Sequence, residues 1–250
     1  MAASIVVKWR LALEALVAFL VLGALKVLVH ALGFEYLEIN SLFSSVIGGA
    51  VFVFGLILAG TLADYKESER IPADFAALCG SIVEDGRYCA EQYPEFDLAT
   101  LKARVLALLK AFRADLADAS SRSALAALGD LTPSLLEMER TGLPANHVVR
   151  LKGEQAAIRR TLMRVYYIQR IEFLPSARNF VTSLVVLILA LLLVTVIEPV
   201  YLGIALVGFL AYLFVYILRL LALLDTPFRV REKTQDDVSL FLLHEAEAEL

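Results

Sequence analysis

Two pairs of apolar segments flank a charged middle segment, and this arrangement limits the fold more than any other feature of the chain. A helix needs about 20 consecutive apolar residues to cross a bilayer. Three of the segments contain no charged residue, and the first contains only Glu14 and Lys26, near its two ends. With 59% hydrophobic residues overall, the chain is predicted to be an all-α membrane protein with four transmembrane helices. These are Leu11–Leu32, Leu42–Ala63, Phe180–Ile197 and Val200–Leu218.

The distribution of Lys and Arg predicts the orientation. Sixteen basic residues lie between the second and third spans, and others precede the first span and follow the fourth, whereas Gly33–Ser41 and Glu198–Pro199 contain none. Because basic connections stay in the cytoplasm, both termini and the middle domain are expected there, in a multi-pass cell membrane (the inner membrane in a bacterium). The predicted parts are a first helix pair at 1–63, a cytosolic helical domain at 64–178, a second pair at 179–224 and a tail at 225–250.

The middle domain is predicted to be helical throughout, with no competing β pattern. One helix is expected at Ala73–Tyr93, a second is capped by Asp97, and a short third is opened by Thr132-Pro133 and closed by Gly142 with Pro144. A long fourth, His147–Phe173, is expected after an Asn146 cap. The second and fourth helices carry apolar stripes at three- and four-residue spacing, formed by Leu101, Val105, Leu108, Leu109, Phe112 and Leu116, and by Leu151, Ile158, Leu162 and Val165.

Polar and thiol side chains in this domain allow more than one interpretation. Gln155 and Gln169 alternate with the stripe of the long helix, so they face either an axial channel or the solvated edge of a bundle. Cys79 and Cys89 have no metal-binding spacing. We interpret both as buried apolar residues rather than as a metal or redox site.

Motifs of enzymes and of nucleic-acid-binding proteins are missing from the sequence. It contains no phosphate-binding glycine loop, no zinc-protease motif and no nucleophile elbow. His30, His147 and His244 are scattered, whereas metal sites need clustered donors. A net charge of −4 gives no basic surface for nucleic acid. We therefore expect no catalytic residue, metal or cofactor, and partners limited to membrane lipid, small inorganic ions and further copies of the chain.

Charged residues within the spans are few. Lys26 lies near the outer end of the first span; either its side chain reaches outward to the interface or it lends positive potential to an outer vestibule. Glu14 and Arg219 are expected at the cytoplasmic interface. Since ionisable residues at membrane depth usually mark transport pathways, their scarcity argues against a proton-driven transporter.

The second span is the most unusual segment. Gly48, Phe52 and Leu56 are spaced by four residues and therefore lie along one helix face. Repeated around an axis, this face would form a narrow dry constriction, and the positive edge of an aromatic ring would suit anions there. The alternative is that these residues pack against neighbouring helices.

Several short motifs resemble those of bestrophins. The first is the aromatic second span with the segment that follows it, the second lies on the long cytosolic helix, and the third lies near the C-terminus. The order of four spans with a helical domain after the second is also that of the family. The matching segments are Phe52-Val53-Phe54-Gly55, Asp64-Tyr65, Arg70-Ile71-Pro72-Ala73-Asp74, Leu151-Lys152-Gly153-Glu154, Ile158-Arg159, Leu224-Asp225-Thr226-Pro227-Phe228 and Asp236-Asp237-Val238-Ser239-Leu240.

The resemblance implies a homopentameric channel for chloride and similar anions, with one axial pore. Its neck would be Gly48, Phe52 and Leu56, and a lower cytosolic aperture would fall at Asn146 and Val149.

Three departures from the family qualify this expectation. Asp64 stands where bestrophins have Arg, which places an acid at the inner mouth and argues against anion preference. Gly48 replaces a bulky neck residue. Only Asp236 and Asp237 remain of the acidic run that binds calcium in animal members, beside basic Arg229; calcium control is therefore not expected.

Three hypotheses follow. The chain is an anion-conducting, bestrophin-like pentamer, a cation-conducting relative as Asp64 suggests, or a membrane-anchored interaction protein with no pore. Each predicts a different electrical behaviour.

Overall fold

The structure, a computed structural model, describes residues 2–38, 40–170, 175–225, 227–228 and 238–250. Nine helices and two short strands occur in these ranges, so the predicted all-α class is confirmed apart from the strands. Their order is α1 (Ala2–Ala31), β1 (Leu37–Glu38), α2 (Ser41–Gln92), α3 (Leu98–Ala117), α4 (Ser123–Gly129), α5 (Thr132–Thr141), α6 (Ala145–Arg170), α7 (Pro175–Leu193), β2 (Thr195–Val196), α8 (Val200–Leu224) and α9 (Phe241–Glu249).

The described residues form two compact units. The first combines α1, the N-terminal part of α2, α7 and α8, and the second contains residues 66–170, 227–228 and 238–250. Helix α2 contributes to both units because it continues from Ser41 to Gln92 through Pro72, although proline cannot donate the usual backbone hydrogen bond. The separate helix predicted at Ala73–Tyr93 is therefore the C-terminal part of a longer helix.

Three helices in the described part of the chain are long and apolar enough to cross a membrane: Trp9–Ala31, Phe43–Gln92 and Val200–Leu224. The chain is thus a membrane protein. The apolar part of α7, Arg178–Leu193, is shorter than these three. The third span predicted at Phe180–Ile197 was too long at its C-terminal end, because the helix ends at Leu193.

A parallel strand pair joins the two connections of the first unit, and no sequence pattern predicted it. Leu37 pairs with Thr195, and Glu38 pairs with Val196. The backbone N–H groups of Tyr36 and Leu37 also donate to the carbonyl of Val194, at 2.9 and 3.1 Å. Two residues per strand are too few for a periodic pattern. The all-α prediction was therefore wrong at this point.

Close helix approaches hold the first unit together. Phe54 of α2 packs edge-on against Phe214 of α8, with 5.3 Å between ring centroids. Gly208 of α8 lies directly against Phe19 of α1, where a Cβ atom would come within 2.9 Å of the ring and 3.2 Å of the backbone oxygen. Glycine permits this approach, as is usual where membrane helices pack.

The second unit is a helical bundle around one apolar core, and its helical character was predicted. Every residue of the two predicted stripes is buried. The ring of Phe75 of α2 stacks on that of Phe112 of α3, with 3.9 Å between the ring centroids. Asp97 caps α3 by accepting from the Thr100 N–H at 3.0 Å, and Gly142 ends α5 in the left-handed conformation at φ 106°. These predictions are confirmed. The long helix begins at Ala145, so Asn146 lies inside α6 rather than capping it.

Candidate functional site

The residues predicted to form the neck lie on an exposed face of α2. Phe52 is 66% and Leu56 is 59% exposed. Gly48 is also exposed, and a Cβ atom built on it would meet nothing within 4 Å. Within one chain this face therefore packs against no described helix, which removes the alternative of packing within the monomer.

The opposite face of α2 is buried. Ala50, Phe54 and Thr61 are almost completely covered, and the cluster that contains Ala50 and Phe54 is built from α7 and α8. At 100° per residue, these three lie about 160–180° around the helix from Phe52. Because this face of α2 packs against α7 and α8, the face that carries Gly48, Phe52 and Leu56 points away from them.

Glycines distinguish the exposed face of α2 from an ordinary lipid-facing surface. Gly49 and Gly55 also have open space where a Cβ would stand, whereas α1 exposes large aliphatic side chains such as Leu20 and Val21. Small residues on a membrane helix allow another helix backbone to come close. The face is therefore suited to contact with another polypeptide.

Asp64, the predicted inner-mouth charge, lies on α2 and is half-buried. It is twelve residues beyond Phe52, which places it about 120° around an ideal helix from that ring. Asp64 and Phe52 thus share a helix but not a face.

The predicted aperture residues lie in the first turns of α6, in the second unit. Asn146 is exposed, and Val149 is 72% exposed. An exposed valine at a helix start is available for contact with another molecule. Its place in an aperture stays a prediction.

Gln155 is buried, Gln169 is half-buried, and both side-chain amides contact helix ends. The Gln155 side-chain amide donates to the Leu128 carbonyl at 3.0 Å and to the Thr132 hydroxyl at 3.1 Å. The Gln169 amide donates to the carbonyls of Asp115 and Leu116 at 3.0 and 3.2 Å. Both residues satisfy carbonyls at helix ends, and the wet-surface expectation was wrong for Gln155.

Lys26 is a buried charge with several partners. It is 1% exposed, and its Nζ lies 2.5 Å from Oε1 of Glu35. The ammonium also donates to the carbonyls of Leu193, at 3.1 Å, and Thr195. The expectation that this side chain reaches outward to the interface was therefore wrong. Its role in an outer vestibule stays a prediction, and pairing with Glu35 reduces the positive potential available for that role.

Glu35 also connects to His30, whose Nδ1 lies 2.9 Å from Glu35 Oε2. Hydrogen bonds from Lys26 and then His30 lower the pKa of the Glu35 carboxyl. The connection between α1 and α2 is therefore fixed by an ionised carboxylate at neutral pH.

A buried carboxylate in the second unit was missed by the sequence analysis. Asp115 of α3 accepts from the Ser121 hydroxyl at 2.6 Å, from the Ala124 backbone N–H at 2.9 Å and from the Tyr166 hydroxyl at 2.5 Å. Ser123 adds its backbone N–H and its hydroxyl. Burial raises the pKa of Asp115, but these hydrogen bonds together lower it below the usual value. The carboxylate caps the start of α4 and attaches α6 to it.

The two cysteines are free and buried, as predicted, and burial raises the pKa of Cys79 to about 12. Such a thiol is a poor nucleophile. Among the described residues, no three His, Cys, Asp or Glu side chains form a group that could hold a metal ion.

Neither a protein-family model nor a curated protein matches this sequence. Solved structures do match. A bacterial bestrophin homologue from Klebsiella pneumoniae superposes with a TM-score of 0.78 at 14% identity, over 95% of each chain. A mutant of that homologue gives 0.77 at 14% identity, over 97% of this chain and 96% of the other.

A further crystal structure, described as that of a membrane protein, gives a TM-score of 0.81 at 11% identity and covers 94% of this chain and 96% of the other. These similarities extend over both units and over nearly all of each compared chain. At such low identity they establish architecture rather than residue roles. The resemblance seen in the short motifs is thus confirmed at the level of structure, and the chain has the fold of the bacterial bestrophin homologues.

Proposed function

We propose that this protein is a homopentameric, bestrophin-like ion channel that conducts chloride or other small anions. In this proposal all four apolar segments cross the membrane, both termini and the second unit lie in the cytoplasm, and α2 lines the axis. Gly48, Phe52 and Leu56 form the neck, and Asn146 and Val149 line a lower aperture. The observation that carries the proposal is the exposed face of α2, where Phe52 is 66% exposed, opposite a face whose Ala50 and Phe54 are buried against α7 and α8.

The chemistry of this face supports a dry constriction. Five copies of Phe52 and Leu56 around an axis would surround the ion with apolar surface and make it shed water, which favours weakly hydrated ions. Ring edges carry the positive end of the aromatic quadrupole and would point toward an anion in the neck. The open space beside Gly48 makes that layer the widest of the three.

Asp64 is the main argument for the cation-conducting alternative. Its position about 120° from Phe52 on α2 supports a carboxylate directed away from the axis rather than into it. The anion preference therefore rests on the neck, and Asp64 is assigned no contact with the permeating ion.

Oligomer mass in detergent and currents in planar bilayers test the proposal. We expect a mass of five chains, and in asymmetric KCl a reversal potential shifted toward the chloride equilibrium potential. A shift toward the potassium value would assign a cation channel instead. A pentamer without current would favour the anchored interaction protein, and a monomer would end the channel hypothesis.

Phe52→Ala tests the neck itself, with Phe209→Ala as the matched control. Both are exposed phenylalanines of apolar helices, and Phe209 of α8 is 57% exposed. We expect Phe52→Ala to raise conductance several-fold and weaken ion preference, because it removes one apolar layer. Phe209→Ala should change neither. Equal effects of the two substitutions would exclude Phe52 from the neck.

A further inference from the structure

A cavity of about 200 Å³ lies between α2, α7 and α8, entirely within the first unit. Its apolar wall includes Ile57, Val181 and Leu218, and the hydroxyl-bearing Thr61 and Thr182 also line it. Pockets that enclose drug-sized molecules are larger, roughly 300–1,000 Å³. The cavity therefore has room for a small polar group attached to something that lies outside it.

Two arginines line the same cavity. Arg178 of α7 and Arg219 of α8 contribute to the lining together with Asp225. Arg219 also pairs with Glu14 of α1, with 3.0 Å between Nε and Oε2, and the same carboxylate accepts from Arg10 at 3.1 Å. Among the described residues, the cavity lining thus contains two guanidinium groups and one carboxylate. The lining therefore carries an excess of positive charge suited to an anion.

The two arginines mark a defined depth in the membrane. Arg178 is the first residue of the apolar stretch of α7, and Arg219 lies in the last turns of the apolar helix α8. Basic side chains at the ends of spans lie at the level of the lipid headgroups. The apolar wall continues from that level toward the hydrocarbon region. An occupant would therefore meet guanidinium groups at one end and hydrocarbon at the other.

The cavity lies on the side of α2 away from the exposed face of Gly48, Phe52 and Leu56. Ile57 and Thr61 are about 140–180° around the helix from the middle of that face. An ion in the proposed neck would not contact them.

We propose that this cavity binds the phosphate of an anionic phospholipid. The guanidinium of Arg178 would contact the phosphodiester, because the arginine fork matches phosphate oxygens in a bidentate way. The acyl chains would lie outside the cavity, against the apolar surface beside Leu218. Basic pockets between membrane helices are suited to anionic headgroups. The inference is independent of ion conduction, since it holds for a pore or for an anchor.

Lipid titration of the purified full-length protein tests this proposal. Binding of phosphatidylglycerol and phosphatidylcholine is measured by native mass spectrometry for the wild type, Arg178→Gln and Arg160→Gln. Arg160 is an exposed arginine of α6, so its substitution removes the same charge elsewhere. We expect phosphatidylglycerol to bind the wild type more tightly than phosphatidylcholine, and Arg178→Gln to weaken this binding about tenfold, which corresponds to one charge-assisted contact. Arg160→Gln should bind like the wild type.

Three results would overturn the proposal. Equal binding of the two lipids, or equal effects of Arg178→Gln and Arg160→Gln, would remove the site. Inorganic phosphate that binds as tightly as phosphatidylglycerol would show a free-anion site and exclude the lipid. Arg178→Lys provides a second variant in case Arg178→Gln does not fold: it keeps the charge, loses the bidentate contact, and should give an intermediate affinity for phosphatidylglycerol.

Discussion

The Nζ atom of Lys26 lies 2.5 Å from the Oε1 atom of Glu35, in a site where the lysine is buried from solvent. The same ammonium donates to carbonyls at the end of α7 and in β2. One buried cation therefore holds the end of α1, the connection that follows it and the end of α7. A buried ion pair contributes modestly when complete, but the loss of one partner leaves an uncompensated charge.

Glu35→Gln should destabilise the protein by about 3 kcal/mol, because it leaves the buried Lys26 charge unpaired. Lys26→Met combined with Glu35→Gln should recover part of this loss, since the buried charge is then also absent. Thermal unfolding of Glu35→Gln, of Lys26→Met and of the double variant in one detergent gives the coupling free energy between the two side chains. Additive effects would contradict an interaction between these two side chains.

Asp115→Asn should lower the free energy of unfolding by about 2 kcal/mol at neutral pH, because an amide cannot accept all of the hydrogen bonds made by the carboxylate. The folded pKa of Asp115 is lowered, so its stabilisation is present above the unfolded pKa of about 3.9 and is lost as the pH falls toward the folded value. The difference between wild type and variant should therefore shrink in acid.

Asp130→Asn is the control for Asp115→Asn, since Asp130 is exposed at the end of α4. It should change stability by less than about 0.5 kcal/mol at every pH. A difference between wild type and Asp115→Asn that does not vary with pH would contradict the ionised, hydrogen-bonded state of Asp115.

Gln155→Leu should destabilise the protein by about 1–2 kcal/mol, because the Leu128 carbonyl and the Thr132 hydroxyl lose their shared donor. Gln92→Leu, at an exposed position near the end of α2, is the matched control and should be within about 0.5 kcal/mol of the wild type. Chemical denaturation of the full-length protein measures both. Equal stability of Gln155→Leu and the control would restore the wet-surface interpretation of Gln155.

Two glycines of α2 should respond in opposite directions to alanine. A Cβ on Gly86 would overlap the Leu101 side chain and come within 3.3 Å of Leu98. Because Leu101 is itself completely buried, Gly86→Ala should destabilise by about 1–3 kcal/mol. Gly80 has open space around it, and Gly80→Ala should stabilise by about 0.5–1 kcal/mol through helix propensity. Thermal unfolding compares the two, and a Gly86→Ala protein as stable as Gly80→Ala would contradict this packing.

Local patterns in the sequence predicted the elements whose causes are themselves local. The stripe from Leu101 to Leu116 determined the buried face of α3, and Asp97 and Gly142 marked helix ends through contacts within three or four residues. These features depend on helix periodicity and capping, which a single segment contains.

Features that depend on distant partners were missed. Lys26 finds its carbonyl acceptors 167 and 169 residues away, so its burial could not be read from the first span alone. Gln155 looked like a solvated residue because its acceptors lie on other helices. Asp115 gave a weak local signal, with Ser121 and Ser123 shortly after it, but the role of its carboxylate depends on the chain reversal between α3 and α4.

The neck is a different case. The spacing of Gly48, Phe52 and Leu56 correctly predicted that these residues share a face, and the structure adds that this face is exposed in one chain. Whether they line a pore depends on the arrangement of several copies, which neither the sequence nor the fold of a single chain contains.

The β1–β2 pair has a mechanical consequence. It joins the start of α2 to the end of α7 by backbone hydrogen bonds, so this end of the first unit is a fixed pivot. From Asn40, at 1.5 Å per residue, Phe52 lies about 18 Å and Tyr65 about 38 Å along α2. A rigid tilt of α2 about the pivot would therefore move Tyr65 about twice as far as Phe52, and the largest displacement would occur at the end of the unit opposite the strands.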